Sequence, residues 1–147
     1  MGSDEDTMSI GRRQASATTA EAEKRRILLI EDDLHVAETL AELLELEGFH
    51  VAVAHEAEGG MDSARAERPD LVLCDLSLPG RLDGCGFARA CRADPVLRGL
   101  RLVAVSGYCR AEDRRRALEN GFDDLIGKPI ELARIHAAFE PLRGAAA

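Results

Sequence analysis

Six residues of this 147-residue chain are suited to one piece of chemistry: Glu31, Asp32, Asp33, Asp75, Ser106 and Lys128. Three or four carboxylates brought together repel one another unless a positive charge neutralises them. A hard divalent cation does this. Mg²⁺, or Mn²⁺ in its place, binds through one or two carboxylates plus waters and phosphate oxygens. Asp75 stands after an apolar run and before a loop, where its carboxylate can attack a phosphoryl group and form an aspartyl phosphate. Phosphoryl transfer asks a protein mainly for positioning and charge neutralisation. Lys128 would pair with one phosphoryl oxygen as a point charge. The Ser106 hydroxyl would hydrogen-bond another, and backbone N–H groups around Ser77 and Gly107 would also donate.

Taken singly, each residue has an ordinary explanation. An acid run after a strand caps the next helix, a serine turns a loop, and a lysine sits in solvent. The weight lies in where they recur. Ile27 to Ile30, Leu71 to Cys74 and Leu102 to Val105 are continuous apolar runs, the pattern of strands buried on both faces. His50 to Ala54 reads as a short strand around Val51 and Val53, and Phe122 to Ile126 as a weaker fifth one. Between them lie helical stretches at Leu34 to Glu47, Glu56 to Glu67, Gly86 to Arg92, Ala111 to Asn120 and Glu131 to Leu142. In the first, Val36, Leu40, Leu43 and Leu44 form an amphipathic stripe, Asp33 is placed to cap the start and Gly48 to stop the end. Five strand–helix repeats predict an α/β fold, a parallel sheet with helices on both faces and right-handed crossovers. Glu31, Asp32, Asp75, Ser106 and Lys128 all fall just past the C-terminal end of a strand. Open α/β sheets place their ligands there, so residues about a hundred positions apart are predicted to converge.

Composition agrees with one globular domain: 46% hydrophobic and 31% charged residues. No apolar run approaches the roughly 20 residues that span a bilayer, and the N-terminal stretch lacks the apolar core of a secretory signal. A cytoplasmic protein without membrane attachment is the expectation. Residues 1–25 read as a disordered tail or linker, 26–143 as the folded domain and 144–147 as a short disordered end. The net charge is −8, and residues 1–26 hold five acids and five bases, so the whole excess falls on 27–147. That balance argues against nucleic acid as a direct partner. Cys74, Cys85, Cys91 and Cys109 form no C-x-x-C pair and read as reduced thiols, Cys74 as a small core residue.

The motif set resembles the receiver domain of bacterial two-component response regulators over about residues 26–143. The opening strand and acid pair match Ile27-Leu28-Leu29-Ile30-Glu31-Asp32, the phosphoacceptor matches Asp75, the hydroxyl residue Ser106, and the lysine Lys128 in Gly127-Lys128-Pro129. The resemblance implies the flavodoxin-like doubly wound (βα)5 fold with strand order 2-1-3-4-5. It implies a cis Lys128–Pro129 bond and Mg²⁺ (or Mn²⁺) held at Glu31, Asp32, Asp75 and Ser77, with Asp32 the direct ligand of the acid pair. It also implies a phosphate and switch set of Ser106, Gly107, Lys128 and Leu125. A histidine kinase or histidine phosphotransfer protein would supply the phosphoryl group, and self-association would use the face of the fourth helix, fifth strand and closing helix.

Three departures from the family pattern stand out. The loop Pro79-Gly80-Arg81-Leu82-Asp83-Gly84 is one residue longer than usual. Leu125 occupies the position where the family often has an aromatic switch residue. Ser77 and Tyr108 occupy the variable positions two past the acceptor and two past the hydroxyl, which tune how water reaches the phosphoryl group. The first expectation is therefore a signalling phosphoacceptor rather than an enzyme, with at most self-catalysed phosphotransfer and autodephosphorylation, and with no output domain after the closing helix. A receiver module from a hybrid histidine kinase and a binding-only receiver-like domain are the alternatives. A Mg²⁺-dependent aspartyl-phosphate phosphatase fits less well, because Ser77 stands where such enzymes commonly carry a second acid.

Overall fold

A computed structural model of the chain describes residues 24–139. Five strands and five helices alternate: β1 (Arg26–Ile30), α1 (Leu34–Leu46), β2 (His50–Ala54), α2 (Ala57–Glu67), β3 (Leu71–Asp75), α3 (Gly84–Ala93), β4 (Leu102–Ser106), α4 (Ala111–Glu119), β5 (Asp124–Gly127) and α5 (Leu132–Ala138). The strands form one parallel sheet in the order β2-β1-β3-β4-β5. This is the flavodoxin-like doubly wound fold. The tail and the short end predicted for residues 1–25 and 144–147 lie outside the described residues, apart from residues 24 and 25.

The sheet is buried on both sides, as the unbroken apolar runs require. One core packs Leu28, Ile30, Val72, Cys74 and Ala104 against α2, α3 and α4 through Ala64, Phe87, Ala88 and Ala117. The other packs Ile27, Leu29, Leu71, Leu73, Val103 and Val105 against α1 and α5 through Ala37, Leu44, Ile135 and Ala138. Small residues let the helices lie close. A β-carbon on Gly60 of α2 would fall 2.5 Å from the Ile30 δ-carbon.

Two expectations are corrected. The buried row of α1 is Ala37 and Leu44 with the half-buried Leu40, whereas Val36 and Leu43 are exposed at 41% and 46%. Apolar residues occupy two adjacent rows of this helix, and packing on the sheet selects the row with the small Ala37. Helix α3 begins at Gly84, two residues earlier than Gly86, because Asp83 caps it by accepting the Gly86 N–H at 2.8 Å. The Asp33 cap of α1 is present, accepting from the His35 and Val36 N–H groups at 3.0 Å each.

Candidate phosphoryl-transfer site

Glu31, Asp32, Asp75, Ser106 and Lys128 meet at the C-terminal edge of the sheet, whereas the Asp33 carboxylate turns away to cap α1 and does not join the acid cluster. β1 delivers Glu31 and Asp32, β3 ends on Asp75, β4 on Ser106, and Lys128 follows β5. Glu31, Asp75 and Ser106 are buried at 4%, 5% and 7% exposure, whereas Asp32 is exposed.

Lys128 ties the cluster together. Its Nζ donates to Asp75 Oδ2 at 2.8 Å and to Glu31 Oε1 at 3.0 Å. The second oxygen of Asp75, Oδ1, accepts the Ser77 N–H at 2.8 Å, so both carboxylate oxygens are fixed. Glu31 Oε2 accepts the Asp33 N–H at 3.0 Å. Burial raises the Glu31 carboxyl above its ordinary value, and the hydrogen bonds from Asp33 and Lys128 offset this only in part. Burial works against the Lys128 charge, but its hydrogen bonds to Asp75 and Glu31 outweigh it and the ammonium is held more firmly than usual.

Oxygens of Glu31, Asp32 and Asp75 lie within 4.8 Å of one another. The donor set is oxygen only, which suits a hard cation of the Mg²⁺ or Ca²⁺ kind and not a soft one. The residues present therefore fit a divalent cation. Glu31, Asp32 and Asp75 are the side chains that would hold it, and it would supply positive charge where phosphoryl oxygens gather.

The remaining predicted positions fall around this centre. Ser77 is exposed, and its N–H points at Asp75 itself. Ser106 Oγ accepts the Tyr108 N–H at 3.0 Å. Gly107 is exposed, and so is the Tyr108 ring at 66%, with the Arg110 guanidinium 5.4 Å from its centroid. Leu125 is not at the surface: it is 3% exposed and packs in the core beside Ala104, its neighbour on β4. The Lys128–Pro129 peptide is cis. In the longer loop after Asp75, Gly80 takes φ +100°, Leu78 is buried, and Leu82 packs against the core.

Two features carry no signal in the sequence. An apolar groove of about 540 Å³ opens beside Asp75, lined by Val36, Leu40 and Leu43 of α1 and by Pro129 and Ile130, with Glu31, Asp75 and Lys128 also on its wall. The exposed side of α1 thus borders the site. Gly84 is the second. A β-carbon there would lie 2.5 Å from the Asp75 carbonyl oxygen.

Comparison with known proteins agrees with this geometry. Residues 27–140 match the response regulator receiver domain family. The DNA-binding response regulator MtrA of Mycobacterium tuberculosis is 38% identical over 118 residues, which cover 78% of this chain and 50% of MtrA. The phosphate regulon transcriptional regulatory protein PhoB of Escherichia coli is 34% identical over 117 residues, covering 77% and 51%. The chain thus spans about half the length of these relatives. Among solved structures, the CheY-like receiver domain protein of Methanospirillum hungatei superposes with a TM-score of 0.73 at 26% identity, covering 84% of this chain and 99% of that one. The receiver domain of the sensor histidine kinase PA1611 of Pseudomonas aeruginosa gives 0.72 at 27% identity, covering 82% and 98%, and that structure has a magnesium ion coordinated in its active-site cleft. Fold, strand order and family match coincide over the same stretch of sequence, and the chain belongs to the receiver domain family of two-component response regulators.

Proposed function

We propose that this chain is a signalling phosphoacceptor that receives a phosphoryl group on Asp75 with Mg²⁺, or Mn²⁺, and changes its binding to a partner protein. The observation that carries this reading is the fixing of both Asp75 oxygens, one by Lys128 Nζ and one by the Ser77 N–H. A carboxylate held in this way meets an incoming phosphorus with little reorganisation. A carboxylate oxygen forms the bond to phosphorus. The P–N bond of the donor's phosphohistidine breaks, and its electron pair stays on the ring nitrogen, which takes a proton from solvent. Lys128 then exchanges Asp75 for a phosphoryl oxygen. Ser106 Oγ turns from the Tyr108 N–H to donate its own proton to another.

The donor is a histidine kinase or a histidine phosphotransfer protein. The apolar groove along α1 reaches Asp75, so a protein seated there brings its own group to the carboxylate. Turnover on small substrates is not expected, and the action is that of a cytoplasmic binding module. Among the described residues no helix is long and apolar enough to cross a membrane. Self-association through α4, β5 and α5 is a further expectation. That face carries the Arg114–Asp124 and Arg115–Glu119 ion pairs and the exposed Leu118. A second reading, a receiver module from a hybrid histidine kinase, draws on the likeness to the receiver of sensor histidine kinase PA1611.

Intact-mass analysis after incubation with Mg²⁺ and acetyl phosphate tests the proposal. One phosphoryl adduct, lost in Asp75→Asn and with a chelator, is the expected result. Absence of an adduct under conditions that label another receiver would favour a binding-only domain.

A further inference from the structure

The carboxylates of the site are not held alike. Glu31 is fixed by the Asp33 N–H and Lys128, and Asp75 by the Ser77 N–H and Lys128. The Asp32 carboxylate has no hydrogen-bond partner among the described residues, so what fixes its place is the backbone, which sets where its Cα–Cβ bond points.

That backbone is tied twice, once to β2 and once to His55, the residue after it. The Glu31 N–H donates to the Ala54 carbonyl at 3.0 Å, one bond past the last paired residues of the two strands, Ile30 and Ala54. Parallel ladders repeat at even spacing, so the Glu31 carbonyl would next accept from the Glu56 N–H. The chain turns into α2 there instead, with Glu56 as its N-cap. The imidazole of His55 takes that place, its Nδ1 lying 3.0 Å from the Glu31 carbonyl oxygen. The acceptor is a carbonyl, so Nδ1 carries the proton.

We infer that His55 is a positioning residue for the acid pair: its Nδ1–H holds the Glu31–Asp32 peptide plane and so the direction in which Asp32 leaves β1. The inference rests on the reading of Glu31, Asp32 and Asp75 as a cation site. His55 touches neither cation nor phosphoryl group. It acts through a peptide bond, one step further out than the groups that hydrogen-bond a ligand's side chain directly.

The test is calorimetric titration of Mg²⁺ into the full chain and two variants. His55→Ala is expected to weaken binding about threefold to tenfold, the range for the net contribution of one hydrogen bond. His55→Asn places an amide N–H close to where Nδ1 stands, and is expected to restore most of the affinity. The imidazole ¹⁵N shifts of neutral His55 should report a protonated Nδ1. Equal affinity in His55→Ala, no recovery in His55→Asn, or a neutral ring protonated on Nε2 would each overturn the inference while leaving the cation site standing. A wild-type chain that takes up no Mg²⁺ would overturn the site reading, and this inference with it.

Discussion

Gly84, the first residue of α3, lies against the peptide of Asp75. A β-carbon on it would come within 2.5 Å of the Asp75 carbonyl oxygen and 2.8 Å of the Leu76 α-carbon. The loop that leaves Asp75 therefore returns to touch it, and only a residue without a side chain closes the circuit. Gly84→Ala must displace backbone on one side or the other. The expected result is a loss of about 1–3 kcal/mol in stability. Labelling of Asp75 by acetyl phosphate should also slow by on the order of tenfold, since small misplacements of a nucleophile are costly. Urea melts and the time course of adduct mass check both, and wild-type labelling in a destabilised Gly84→Ala would separate the loop's closure from the chemistry.

Lys128 is the positive charge that the resting carboxylates face. In Lys128→Ala, Glu31 and Asp75 confront each other without it. The cation-free protein is expected to lose on the order of 1–3 kcal/mol, less than for a fully buried pair because solvent reaches the lysine and screens it. Saturating Mg²⁺ should recover most of this loss, and Mg²⁺ should bind several-fold more tightly than to wild type because a competing cation is gone. Lys128 is raised above its ordinary 10.5 in the fold, so its contribution is complete at neutral pH and is lost only as the pH rises through that raised value. Thermal melts with and without Mg²⁺ provide the measurement, and equal Mg²⁺ affinity in the two proteins would contradict the competition.

Asp94, after α3, is expected to shape the acid limb of the stability curve. The Arg65 guanidinium, 2.8 Å away, and the Val96 and Leu97 N–H groups hold its carboxyl below the ordinary value. A lowered acid stabilises the fold above its unfolded value, about pH 4, and that stabilisation fades as the pH falls through the folded value. Melting temperature between pH 5 and 2 should therefore fall less steeply in Asp94→Asn than in wild type. Parallel curves would remove Asp94 from the account.

The four thiols should differ sharply. Cys74 and Cys91 are buried, and burial pushes the Cys74 thiol far up and the Cys91 thiol to about 11. Burial raises Cys85 as well. Cys109 is exposed after Ser106. Native protein treated with iodoacetamide near neutral pH should gain one adduct quickly, mapped by peptide mass to Cys109, with the others following only on denaturation.

Leu125 is expected to behave as core. Leu125→Ala should cost about 2–4 kcal/mol, as for a buried leucine in a packed interior. A loss under about 1 kcal/mol would mean that the position yields easily and is not held by packing.

How much of this could be read from the residues varies with the physics. Strands buried on both faces announce themselves as apolar runs, and the site residues stand at their ends, so Glu31, Asp75, Ser106 and Lys128 are legible in the sequence. The buried face of α1 was not. Hydrophobicity favours Val36 and Leu43, but the sheet accepts the row where Ala37 lets the helix approach. The start of α3 is obscured because Gly84 reads as loop, although it answers a close contact with Asp75 and the Asp83 cap before it accepts the Gly86 N–H. His55 left no trace either, since one side-chain hydrogen bond across two strand ends has no periodicity.

Lys128 reaches Glu31 across 97 positions of sequence, the longest-range side-chain contact of the site. The acid pair and Asp75 leave the ribosome well before the lysine that neutralises them. Until β5 docks, an emerging chain carries Asp75 and Glu31 without their counter-charge, so the site is neutralised only once β5 has brought Lys128 to it.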